Sequence, residues 1–126
     1  MPRCRILVVD DSKLVHELAR MALEGQAGWE IRCAASGAEA LSLARAEPPD
    51  AILLDVEMPE LDGPASVAAL RAEPATAETP IVFLTAHDDP GELARLRALD
   101  VAGVLAKPFD VTTLGDELAD VLGWTR

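Results

Sequence analysis

Five short apolar runs, each closed by a polar or charged residue and each followed by Leu, Val and Ala at helical spacing, constrain this chain's fold more than any other feature. The third run, Ala51-Ile52-Leu53-Leu54-Asp55, lies between Pro48-Pro49-Asp50 and Met58-Pro59. An unbroken apolar run of that length fits a strand covered on both faces, the condition of a parallel sheet layered between helices. A carboxylate directly after it stands at the strand's carboxyl end, where open α/β sheets hold their ligands. Asp also begins ordinary surface turns, so Asp55 takes its meaning from the other strand ends.

In chain order, Arg5 to Val9 reads as the first strand, ending in Asp10-Asp11. Leu14, Val15, Leu18, Met21 and Ala22 then recur at helical spacing up to Gly25. Glu30 to Ala34 is a weaker second strand, and Ser36-Gly37-Ala38-Glu39 is a capping box opening a helix that stops before Pro48. Beyond Asp55, Met58 to Gly63 is a loop and Pro64 opens a short helix that ends by Glu73-Pro74. Ile81 to Leu84 is the fourth strand, closing on Thr85-Ala86. Asp89-Pro90-Gly91-Glu92 caps a helix running through Asp100, and Val101 to Ala106 is the fifth strand, ending at Lys107-Pro108. Leu114, Leu118, Val121 and Leu122 form the stripe of a last helix that Gly123 stops. The expected fold is therefore α/β, a single doubly wound parallel sheet over residues 1–126 with helices on both faces.

Composition narrows the function. A formal charge of −11 on 126 residues, with only 11 scattered Lys and Arg, argues against direct nucleic-acid binding and fits a cation site. No apolar run approaches the roughly 20 residues that cross a bilayer, and the N-terminus lacks a signal pattern, so a cytoplasmic location without membrane insertion is expected. Cys4 and Cys33 have no metal-ligand spacing and read as reduced, buried small hydrophobes. Trp29 and Trp124 read as packing residues at element ends.

The two common strand orders of such sheets both place the first strand beside the third, so Asp10, Asp11 and Asp55 would converge. Like charges at such range resist joint ionisation, and a divalent cation removes the conflict. Mg²⁺ suits oxygen ligands and is commonly held by one or two carboxylates plus phosphate oxygens; Mn²⁺ is a possible substitute. Thr85 and Lys107, at the next two strand ends, add a hydroxyl and an ammonium and make the pocket suitable for a phosphoryl group. Asp55 itself can act as a nucleophile, forming an aspartyl phosphate.

Asp10-Asp11, Asp55 with Met58-Pro59 and Asp62-Gly63, Thr85-Ala86 and Lys107-Pro108-Phe109 together resemble the receiver domain of two-component response regulators, over essentially the whole chain. The resemblance implies a flavodoxin-like five-stranded sheet in the order 2-1-3-4-5. It implies that Asp55 accepts a phosphoryl group from a phosphohistidine on a sensor histidine kinase or histidine phosphotransfer protein, and that a downstream protein target reads the result. Asp11 and Asp55 would bind Mg²⁺ directly with the backbone carbonyl of Glu57, and Asp10 would act through a metal-bound water. Thr85 and Lys107 would contact the phosphoryl oxygens, Ala86 would leave the site open, and the Lys107-Pro108 bond would be cis. The protein would then mediate its own phosphorylation and dephosphorylation without turning over an external substrate. It would be a monomer or a weak dimer through its fourth helix, fifth strand and fifth helix. The first helix, with Leu14, Val15 and Leu18, would be the kinase-docking element, although those residues equally suit a core.

Departures from the family pattern matter as well. Val104 stands where receivers carry Tyr or Phe, which puts the usual ring-rotation relay in doubt. Glu57 and His87 occupy the two loop positions that tune acyl-phosphate lifetime in the family; Glu57 could reach toward the metal or screen the attacking water, and His87 is otherwise a solvated loop histidine. His16 reads as a partly exposed helix histidine. With no linker or output module after Gly123, a stand-alone receiver is expected, the alternative being a receiver segment of a larger regulator or hybrid kinase. A haloacid dehalogenase-like phosphatase would need a second Asp two residues after the nucleophile, where Glu57 stands. A flavin carrier would need a phosphate loop in place of Asp10-Asp11.

Overall fold

The computed structural model describes residues 4–26, 28–57, 63–86 and 88–124. Strand and helix alternate along them. β1 (Arg5–Val9) leads to α1 (Lys13–Arg20), which continues into a π-helical stretch, Met21–Gln26. There follow β2 (Glu30–Ala34), α2 (Gly37–Ala46), β3 (Ala51–Asp55), α3 (Gly63–Ala72), β4 (Ile81–Thr85), α4 (Pro90–Arg97), β5 (Gly103–Ala106) and α5 (Leu114–Leu122). The five strands pair in parallel in the order β2-β1-β3-β4-β5, the order the resemblance implies.

Side chains alternate across a strand, so each strand serves two cores. Ile6, Val8, Leu53, Val82, Leu84 and Leu105 point to one face, where they meet Ala19 of α1 and Leu114, Leu118 and Ala119 of α5. Leu7, Val9, Ile52, Leu54, Ile81 and Phe83 point to the other, against Ala40 and Ala44 of α2, Val67 and Leu70 of α3 and Leu96 of α4. Each fully buried Leu or Ile contributes about 1.5–3 kcal/mol relative to exposure. Covering both faces is why β3 and β4 are buried at every position. Trp29 and Trp124 pack edge to face, centroids 5.5 Å apart, at the end of the first core, as expected.

Local polar groups fix where helices begin. Ser12, Ser36 and Asp89 accept hydrogen bonds from the N–H groups of Val15, Glu39 and Glu92. Those bonds satisfy donors that an isolated helix start leaves free. Gly123 ends α5 with φ 73°, a left-handed turn that costs glycine little. Arg71 ties the far side of the sheet together. Its guanidinium donates to the carbonyls of Thr76, Thr79 and Asp100 and pairs with the Asp100 carboxylate at 2.9 Å.

Three boundaries differ from expectation. α4 ends at Arg97 and not Asp100, because the Ala98 and Leu99 amides tighten onto the carbonyls of Arg95 and Leu96 and turn the chain toward β5. β5 accordingly starts at Gly103 and not Val101; the Ala102 N–H already bonds the Ile81 carbonyl at 2.7 Å. The first helix is α-helical only to Arg20 and π-helical from Met21; of its expected stripe Leu14 and Met21 are exposed at 64% and 59%, Val15 and Leu18 are half-buried and Ala22 is buried, with Ala19 and Leu23 beside it. Cys4 and Cys33 are free thiols, half-buried and not fully buried.

Candidate functional site

The sheet register assembles the site as a staircase. Val9 pairs with Leu54, which sets Asp10 level with Asp55 at the ends of adjacent strands. Asp55 pairs with Leu84, so Thr85 stands one residue beyond it, and Thr85 pairs with Ala106, so Lys107 stands one beyond that. Residues separated by almost a hundred positions thus meet because four parallel strands end on one edge. The Lys107-Pro108 bond is cis.

Asp10, Asp11 and Asp55 each bring one carboxylate oxygen within 4.8 Å of the other two. Asp10 and Asp55 are 1% and 3% exposed, while Asp11 faces solvent. One oxygen of Asp10 accepts from the Ser12 N–H at 2.9 Å; the other, buried, has among the described residues only the Lys107 Nζ at 2.9 Å, an ion pair without the alignment of a hydrogen bond. The same ammonium lies 3.1 Å from an Asp55 oxygen, which also accepts the Glu57 N–H at 3.0 Å.

These contacts set the charge states. Burial is the largest influence on Asp55 and pushes its carboxyl above the ordinary value of 3.8; the Glu57 N–H pulls the other way, the Asp10 charge adds to the rise, and Lys107 opposes it. Burial lowers the Lys107 ammonium, but its contacts with Asp10 and Asp55 outweigh that effect and its pKa is raised. One ammonium therefore serves the two buried carboxylates, with exposed Asp11 beside them. The donor set, hard oxygens clustered around a buried and poorly partnered Asp10 oxygen, fits a magnesium-sized cation.

Thr85 is 1% exposed, and its hydroxyl donates to Glu57 Oε1 at 3.1 Å; the Ala86 N–H donates to the same oxygen at 2.7 Å. This use of the Glu57 side chain is absent from the sequence-based expectation, which gave it a role toward metal or water. His16 is half-buried as expected, but its ring nitrogen lies 2.6 Å from the Asp10 carbonyl, a contact also missed. Its position one turn after Ser12 was the available signal. Met58, Pro59, Asp62 and His87, expected around the site, lie outside the described residues. Beside Thr85, Val104 leaves a cleft of about 170 Å³, lined also by Leu93 and Arg97 of α4.

The chain is similar to known proteins over almost its whole length. The family model of the response regulator receiver domain matches residues 6–119. The polar-differentiation response regulator DivK of Brucella ovis is 30% identical over 118 residues, covering 94% of this chain and 95% of that protein. The protein-glutamate methylesterase/protein-glutamine glutaminase 2 of Anaeromyxobacter dehalogenans is 39% identical over 113 residues, but the chain spans only 32% of its length. Among solved structures, the chemotaxis protein CheY4 of Vibrio cholerae superposes with a TM-score of 0.85 at 35% identity, over 94% of this chain and 98% of that one.

Proposed function

The chain belongs to the response regulator receiver domain family, and on that premise we propose that Asp55 accepts a phosphoryl group from a histidine kinase or a histidine phosphotransfer protein. The observation that carries this reading is the meeting of Asp55 with Asp10, Asp11 and Lys107 in one notch at the sheet's carboxyl edge.

A carboxylate oxygen of Asp55 attacks the phosphorus in line. The new O–P bond forms as the donor's P–N bond breaks, and the electron pair returns to the imidazole nitrogen, which takes a proton from solvent. Lys107 pairs with a phosphoryl oxygen, while Thr85 and the Ala86 N–H donate to others. Asp11, Asp55 and the Glu57 carbonyl would hold Mg²⁺, with Asp10 acting through water, and the cation when bound supplies positive charge that offsets the phosphoryl oxygens. Asp10 also holds Lys107 toward the site. Water later cleaves the acyl phosphate, so the chain cycles between two states and turns over no external substrate.

No helix of the described residues is long and apolar enough to cross a membrane; it is membership of the receiver family that supports a cytoplasmic site of action. Exposed Leu14 and Met21 on the α1 side offer an apolar surface for the phosphodonor. With Val104 in place of a ring, the phosphorylated state is read by a downstream protein through the Thr85 loop and α4, or the group is passed onward.

Incubation with acetyl phosphate and Mg²⁺ tests the reading. One phosphoryl group should be added by intact mass, EDTA should suppress it and Asp55→Asn should abolish it. Labelling of Asp55→Asn at the wild-type level would contradict it.

A further inference from the structure

The two donors that flank Asp55 on the β4 side already hold an anion. Glu57 Oε1 accepts from both the Thr85 hydroxyl, at 3.1 Å, and the Ala86 N–H, at 2.7 Å. Two donors converging on one oxygen at the end of a buried strand is how a protein grips an oxyanion. Thr85 is fully buried, whereas Glu57 itself is exposed, so its side chain reaches in from the loop. Its backbone is anchored independently, by the N–H bond to Asp55 Oδ1 at 3.0 Å. The carboxylate and the main chain of Glu57 thus serve opposite sides of the same site.

We propose, resting on the phosphoacceptor role of Asp55, that the Glu57 carboxylate is a built-in stand-in for a phosphoryl oxygen. It occupies the Thr85 and Ala86 donors in the unphosphorylated protein and is expelled when the phosphoryl group arrives. Two consequences follow from the geometry. Thr85 and Ala86, one and two residues beyond the partner of Asp55 in the sheet, are held on an anionic oxygen before phosphorylation, so they need little rearrangement. The part that moves is the exposed Glu57 side chain, a step that does not need a ring at Val104.

Occupancy by Glu57 also competes with uptake. Releasing donors that hold a charged acceptor is worth about 1.5–3 kcal/mol, which corresponds to roughly tenfold or more in affinity for an incoming anion. Removing charge alone would also favour anions, so the informative variant is Glu57→Asp, which keeps the charge but is one methylene too short to reach Thr85 and Ala86.

The test is titration of wild type, Glu57→Asp and Glu57→Ala with beryllofluoride at saturating Mg²⁺, with the Ala86 amide followed by NMR. The proposal expects the free-state Ala86 amide to move upfield in both variants and both to bind about tenfold more tightly than wild type. It also expects all three amides to converge once beryllofluoride is bound. Wild-type affinity in Glu57→Asp, or an unmoved Ala86 amide in the free variants, would overturn the inference alone. Failure of all three proteins to take beryllofluoride would overturn the phosphoacceptor reading and this inference with it.

Discussion

Lys107, at the end of β5, reaches past β4 and β3 to set its ammonium 2.9 Å from the Asp10 carboxylate at the end of β1. The pair spans four of the five strands. Asp10 is almost wholly buried and Lys107 is 20% exposed at its side chain, so solvent screens the pair only weakly. Lys107→Met would leave Asp10 and Asp55 without their counter-charge. In urea denaturation of the metal-free protein the variant should lose about 1–3 kcal/mol, and Mg²⁺ should restore part of it. An unchanged midpoint would show that the pair carries no stability.

Asp55 should make the metal-free fold less stable as pH rises. Its folded pKa is raised by burial above the ordinary 3.8, so its contribution is fully present below that value and is lost as pH climbs through the folded value. Near neutrality, Asp55→Asn should therefore raise the melting temperature, by roughly 3–6 °C for each kcal/mol regained in a domain of this size. Melting curves across pH check the sign: the advantage should shrink toward acid pH.

Divalent metal should stabilise the wild-type protein by mass action, by about 2.7 kcal/mol at a hundredfold excess over Kd. Asp11 is exposed, so Asp11→Asn should leave the metal-free midpoint within about 0.5 kcal/mol. The same variant should lose most of the response to Mg²⁺ in thermal melts. An intact response would remove Asp11 from the ligand set.

Gly103 opens β5 against α5, and a Cβ there would come within 2.5 Å of Val121 Cγ1. Valine is stiff about χ1 and part of the first core, so relief requires α5 to shift. Gly103→Ala should cost about 1–3 kcal/mol, read from denaturant midpoints, without disturbing the acidic notch.

Much of this was legible in the sequence, for a physical reason. Apolar runs that end in Asp10, Asp55, Thr85 and Lys107 encode both the strand and its functional end, and parallel pairing forces those ends together. What the sequence concealed depends on side-chain reach. Nothing in Val56-Glu57 says that the carboxylate turns back to Thr85 and Ala86, or that Lys107 pairs with Asp10 as well as Asp55. The α4 boundary failed because Ala98 and Leu99 are good helix formers that tertiary packing tightened into a turn. Leu14 and Met21 fit a helical stripe yet are exposed, whereas Ala22 of that stripe is buried beside Ala19 and Leu23; an alanine such as Ala19 carries a weak periodic signal, and Leu23 enters the core where the helix widens and the 3.6-residue period no longer holds.

The central claim is that Asp55 carries the phosphoryl group, and the most direct measurement is chemical mapping. Protein treated with acetyl phosphate and Mg²⁺ is reduced with borohydride, which converts an acyl phosphate into an alcohol, and its peptides are read by mass spectrometry. The modification should appear at Asp55 and nowhere else, and should vanish when EDTA is present during phosphorylation. Modification at Asp10 or Asp11 with Asp55 untouched would contradict the account.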